Sequence, residues 1–288
     1  MASLAEIGGF HGFDWERFEV WLLQSHREAV AKNIVSYARR YADCLFNMDL
    51  SRVAVLRHTL RRHVVGALSN LAKFLGVYED YKRLLKSYGI GWNGKSVDDL
   101  IIQRLLKVRN PNEVWDWVRR VKTERPELSV FMDFLAITGL RFDEAVQSYN
   151  LIIQLNREGR LSEYYNEVNE CLEHFRFKDL FIRRTKKAFV SFVPKKLVME
   201  ICKAQPFQTR GVIQKRVERK GLAVRFSDVR EAHNTVLTRY LSQPEIDFLA
   251  GRISANVFMA NYFNPALIGD FKERVFKAIT EIQSKITS

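Results

Sequence analysis

Few residues in this chain can stop a helix. Its 288 residues include only six prolines and 14 glycines. Apolar side chains recur at three- and four-residue spacing over long stretches, so the expected fold is mainly α, with room for one small β-hairpin or sheet (an α+β fold). Residues 14–89 carry this pattern throughout, through Trp15, Phe18 and Leu22, then Ile34, Tyr37, Tyr41 and Leu45. Asp49-Leu50-Ser51 offers N-capping side chains for a long helix running to Leu75, with Gly76 as its stop. A shorter helix, Val77 to Tyr88, ends at the Gly89-Ile90-Gly91 turn.

The pattern weakens over residues 92–111, where Asn93-Gly94-Lys95-Ser96 and Asn110-Pro111 flank a short apolar piece. This stretch reads as a linker. It separates a helical domain, residues 1–91, from a second domain, residues 112–288. The second domain opens with helices on either side of Pro126, the latter broken at Thr138-Gly139-Leu140-Arg141 and resumed from Phe142. Residues 160–175 read as an insertion or irregular helix. Two β-type runs, Phe175 to Ile182 and Ala188 to Val193, flank the basic turn Arg183-Arg184-Thr185-Lys186-Lys187, which predicts a hairpin with lysines near its tip. Helices follow over 195–203 and 209–220. An amphipathic helix over 266–286, with Leu267, Phe271, Val275, Ile279 and Ile282 on one side, closes the chain.

Charge narrows the choice of partner. The formal net charge is +13 and the isoelectric point about 9.7. A chain with 47% hydrophobic residues can build a core, so this surplus points to a polyanion bound by a folded protein. Arg39, Arg40, Arg57, Arg61, Arg62 and Lys73 lie on polar helix faces of the first domain with few acidic residues four positions on, as a clamp on a phosphate backbone would require. The three cysteines, Cys44, Cys171 and Cys202, form no CxxC pair, which excludes a zinc ribbon and a disulfide framework and suits a reducing cytoplasm. The N-terminal residues read as no signal peptide, and no apolar run approaches membrane-span length.

The chemistry concentrates in five short motifs. They are Arg141 in TGLRFDEA, Lys186 in RRTKKAF, Arg230 in SDVREAHNT, Arg252 in AGRIS and Tyr262 in NYFNP. Arginines stay charged and present a planar fork to two phosphate oxygens. A lysine on a turn can protonate a leaving oxygen, and a tyrosine hydroxyl can take over a phosphodiester bond and conserve its energy.

In this order the five motifs resemble the tyrosine recombinases, the family of phage integrases, and within it the integrases of archaeal viruses and plasmids. The resemblance covers residues 110–288; the first domain is similar to the family's core-binding domain only in character. It implies that Arg141 and Arg230 bind the scissile phosphate, with Arg252 as a third such group. Lys186 would be the general acid, with Lys187 as rival and otherwise a DNA contact, and Tyr262 the nucleophile. It implies double-stranded DNA at a specific site as substrate, a homotetramer on DNA with exchanged C-terminal segments, a nucleoid-associated location, and no metal or cofactor. The chain departs from the family twice. Ser227 stands where a histidine is usual, three residues before the second arginine, and Arg252 stands where histidine or tryptophan is usual. Ser227 is expected to cap its helix; His233, one helical turn beyond Arg230, is expected to be packed or exposed on that helix. The rival readings are a type IB topoisomerase-like nicking and resealing enzyme, and a DNA-binding regulator without cleavage.

Overall fold

The computed structural model describes residues 13–91, 97–107, 110, 112–183, 186–252 and 261–287. The chain is mainly helical with one three-stranded antiparallel sheet, and it divides into two compact units, residues 1–105 and 106–288. Among the described residues no helix is long and apolar enough to cross a membrane.

In the first unit α1 (Trp15–Leu23), α2 (Glu28–Phe46), α3 (Ser51–Ala54), α4 (His58–Phe74) and α5 (Tyr78–Ser87) surround one core. Phe18, Leu22, Ala38, Leu45, Leu68 and Leu71 are fully buried in it. Phe13, Trp15, Phe18, Trp21 and Phe74 add an aromatic cluster at one end, most of its ring pairs meeting edge to face. The single long helix expected from Ser51 is two helices. Continued through 55–57, it would place Arg57 in line with buried Val53 and Val64; the break leaves Arg57 exposed at the start of α4 instead. Gly76 (φ +75°) and Gly89 (φ +62°) end α4 and α5 in the left-handed conformation. Within the expected linker lies α6 (Val97–Lys107), and the unit boundary falls near its end.

The second unit is built on α8 (Ser129–Thr138). Phe131, Met132, Phe134, Leu135 and Ala136 are all fully buried, as expected of a helix apolar on every side. Around it pack α7 (Glu113–Glu124), α9 (Phe142–Arg157), α11 (Lys195–Cys202), α13 (Phe226–Leu237) and the last helix, α15 (Phe271–Thr287). Near these lie α10 (Lys178–Phe181), α12 (Arg210–Glu218) and α14 (Gln243–Leu249). The last helix belongs to this unit's own core through Phe271, Val275, Ile279, Ile282 and Ile286. Arg274 pairs with buried Glu245, and Lys122 donates to the Ile286 carbonyl at 3.1 Å. Leu267, expected on the same apolar side, precedes the helix and is exposed.

The sheet is not the expected hairpin. Its strands are β1 (Tyr165–Asn166), β2 (Cys171–Leu172) and β3 (Ser191–Phe192), paired in that order. Two of them lie in the stretch read as an insertion. Residues 175–182 instead form a 3-10 turn and α10, because Phe177, Leu180 and Phe181 sit at helical spacing and turn Phe181 fully inward. What survives is the basic turn, closed by the antiparallel bridge between Ile182 and Lys187.

Candidate active site

Three arginines converge in the second unit, Arg141 and Arg252 from helix ends and Arg230 from within a helix. Their order in space comes from two glycine turns. Gly139 caps α8 in the left-handed conformation (φ +56°). A Cβ there would stand 2.2 Å from the His233 ring, so conformation and space both demand glycine. Two residues on, Arg141 is the N-cap of α9, in extended conformation. The second turn ends α14. Gly251 (φ +60°) donates to the Phe248 carbonyl at 3.0 Å, and the Arg252 amide donates to the Asp247 carbonyl at 2.8 Å. These are the two bonds of a Schellman cap, which fixes the Arg252 backbone while its side chain is exposed.

Arg230, on α13, joins the two turns. Its Nη1 donates to the Gly139 carbonyl and its Nη2 to the Ala250 carbonyl, both at 2.6 Å. Burial pushes its guanidinium down to about 10, and the positive charges of Arg141 and Arg252 push the same way while Glu144 opposes them. The group stays cationic at neutral pH, held where an anion would relieve it.

Arg141 is held from below. Its Nη1 lies 3.0 and 3.2 Å from the two carboxylate oxygens of Glu144 and 3.3 Å from the Lys187 carbonyl. The Glu144 side chain is fully buried and also accepts Arg183 Nη2 at 3.0 Å. One carboxylate therefore anchors two arginines, and the group as a whole keeps a positive surplus. Sequence reading passed over both Glu144 and Arg183. The one legible signal was Glu144 three positions after Arg141, the spacing of a capping box, and its backbone bond is present: the Arg141 amide donates to Glu144 Oε2 at 3.3 Å.

The basic turn lies against both arginine turns. A Cβ on Gly251 would fall 1.6 Å from the Lys187 carbonyl oxygen, so backbone meets backbone there. Lys186 is exposed and Lys187 half-buried. Arg184 and Thr185 lie outside the described residues. Tyr262 is 74% exposed and makes no hydrogen bond to the three arginines. Its neighbour Phe263 packs on Phe248 at 6.1 Å, and Phe248 stacks on Phe189 at 5.9 Å. The tyrosine segment is thus anchored on the same helix that presents Arg252.

Ser227 does not cap its helix. Arg225 is the N-cap, tied to Glu113 at 2.6 Å and Asp228 at 3.0 Å. Phe226 is already helical because it stacks on Phe142 at 3.9 Å. Ser227 is exposed in the first turn, with its hydroxyl 3.4 Å from Asp228. His233 is packed. Its Nδ1 lies 2.9 Å from the Ala136 carbonyl, and burial pulls the imidazole down to about 4. It supports the Gly139 turn as a neutral ring.

In the first unit the basic residues divide. Arg61 donates to the Ala54 carbonyl at 2.9 Å and so closes the end of α3. Arg39 lies over the Trp15 ring and Lys73 over Tyr78. Arg61 and Arg62 line a cleft with His58 and the Gly89-Ile90-Gly91 turn, while Arg40 lines a second with Arg39 and Lys32. Elsewhere in the unit Lys82 pairs with Glu79, Arg83 with Asp80 and Arg52 with Asp43, none of these acids lying four positions on from its partner.

None of the protein-family models, curated proteins or solved structures compared with this chain matches it.

Proposed function

We propose that the chain is a site-specific DNA strand transferase of the tyrosine recombinase type, acting on double-stranded DNA. The observation that carries this reading is the convergence of Arg141, Arg230 and Arg252, with Arg230 stitched to both glycine turns. Two anchored cations with a third beside them suit a phosphodiester whose non-bridging oxygens gain charge in the transition state. The Tyr262 hydroxyl gives up its proton to solvent, and its oxygen attacks phosphorus in line as the bond to the 5′ oxygen breaks. A lysine of the basic turn gives that oxygen its proton, leaving a 3′-phosphotyrosine and a free 5′ hydroxyl. Attack of a 5′ hydroxyl on the phosphotyrosine rejoins the strand. Arg57, Arg62 and their neighbours in the first unit grip the duplex backbone.

One observation favours a second reading, nicking and resealing by a monomer: α15 lies in its own unit's core. The test begins with a pool of labelled duplexes of randomised sequence, incubated with the protein and run under denaturing conditions. Wild type is expected to yield a covalent adduct and Tyr262→Phe none. No adduct, or equal adduct from the variant, would sink the proposal. Two copies of the recovered duplex then separate the readings, since only a recombinase joins strands between them.

A further inference from the structure

The basic turn is fastened at both of its legs, and one residue of that fastening has no part in the chemistry above. On the incoming leg, Arg183 reaches Glu144 Oε1 with Nη2 at 3.0 Å. On the outgoing leg, the Lys187 carbonyl accepts Arg141 Nη1 at 3.3 Å and abuts Gly251. The legs are tied to each other by Arg183 N to the Lys186 carbonyl at 2.9 Å, and by the bridge from Ile182 to Lys187. Glu144 is fully buried and holds Arg141 at the same time. Both legs therefore refer to one fixed point, the Arg141–Glu144 pair at the start of α9.

We propose that Arg183 is a positioning residue that sets the lysine-bearing turn against the scissile phosphate, and so governs protonation of the leaving oxygen. The inference rests on the strand-transfer reading. Two facts favour it over simple fold support. Arg183 bonds chiefly to this site, to the Glu144 carboxylate and to the turn itself, and a bulky apolar residue could brace a turn without occupying half of a buried carboxylate. Once Arg183 no longer reaches Glu144, the turn keeps its backbone bridge and the contact of the Lys187 carbonyl with Arg141, but its incoming leg loses the side-chain tie to the buried carboxylate, and the lysine side chains are aimed less closely.

The test uses the duplex recovered from the randomised pool, made in two forms. One is ordinary. The other carries sulfur in place of the bridging 5′ oxygen at the cleaved phosphate. Breaking the phosphorus–oxygen bond needs a proton for the alkoxide; breaking the phosphorus–sulfur bond releases a thiolate that needs none, since thiols ionise near ~8.5. Well-placed general acids contribute roughly 10²–10⁴-fold, so Arg183→Ala and Arg183→Gln are expected to slow adduct formation by about 10- to 100-fold on the oxygen duplex. On the sulfur duplex both variants should stay within about threefold of wild type, the pattern of an impaired proton donor with phosphate binding intact. Activity there also shows that the variants fold. Equal loss on both duplexes in both variants, or loss on neither, would overturn the assignment. A randomised pool that yields no adduct with wild type would overturn the strand-transfer reading itself, and this inference with it.

Discussion

Replacing Gly251 with alanine should damage the site more than it damages the fold. Alanine at a left-handed position costs about 1–2 kcal/mol, and Gly251 sits at φ +60°. The added Cβ would also lie 1.6 Å from the Lys187 carbonyl oxygen and 2.5 Å from its carbon. Carbon and oxygen touch at about 3.3 Å, so the two backbones must part by more than about 1 Å. That movement separates Arg252 from the basic turn, and a misplacement of about 1 Å can cost roughly 10²-fold in rate. Gly221 is the control. It has φ +69° and no atom within 4 Å of its would-be Cβ, so Gly221→Ala carries the conformational cost alone. Thermal unfolding should show Gly221→Ala lowered by about 2–8 °C. Gly251→Ala should lose a further ~1–3 kcal/mol from overlap. Adduct formation should fall about 10²-fold in Gly251→Ala and stay near wild type in Gly221→Ala. Equal losses of stability with equal rates in the two variants would refute the backbone approach on which this reasoning depends.

Three further outcomes follow from the same geometry. Inorganic sulfate should stabilise wild type more than an Arg141→Ala, Arg252→Ala variant, by up to about 2.7 kcal/mol at a hundredfold excess over Kd, read as a rise in Tm; an equal rise would mean that these arginines do not form an anion site. His233 is held near 4 in the folded chain, below the ~6.5 of a free imidazole, so the unfolded chain binds the extra proton between these values and stability falls as pH drops through that window. The contribution is on the order of 3 kcal/mol, and His233→Gln should flatten urea-measured stability between pH 6.5 and 4. Arg61→Ala should cost about 1 kcal/mol of stability and lower the Tm accordingly, since its Nη1 closes α3. Arg62→Ala should leave the Tm alone and cut the salt slope of duplex binding by roughly 0.9; a slope loss in Arg61→Ala with no Tm change would reverse these roles.

The helices were legible because their apolar spacing persists over many turns. Of the face read for α2, Tyr41 and Leu45 are buried in the core and Ile34 and Tyr37 pack against it. The glycine stops were equally plain, for Gly76, Gly139, Gly221 and Gly251 all take positive φ where helices end. The sheet was not legible. Strands of two residues leave no period to read, and the eight residues from Phe175 to Ile182 are too few to separate a strand from Phe177, Leu180 and Phe181 on one helical face. Arg141, Arg230 and Arg252 could be picked out by motif, but nothing local says that Arg230 spends its guanidinium on two carbonyls 91 and 20 residues away. Glu144 and Arg183 were missed for the same reason: their pairing spans 39 residues. Ser227 was misplaced because Phe226, not the hydroxyl, decides where α13 starts.

The central claim is that Tyr262 makes a covalent bond to DNA beside the three arginines. Digestion of the protein–DNA adduct followed by peptide mass mapping tests it directly. The account expects the nucleotide on the peptide containing Tyr262, linked through a 3′ phosphate, with a free 5′ hydroxyl on the released strand. A nucleotide on any other residue, or a 5′ linkage, would contradict it.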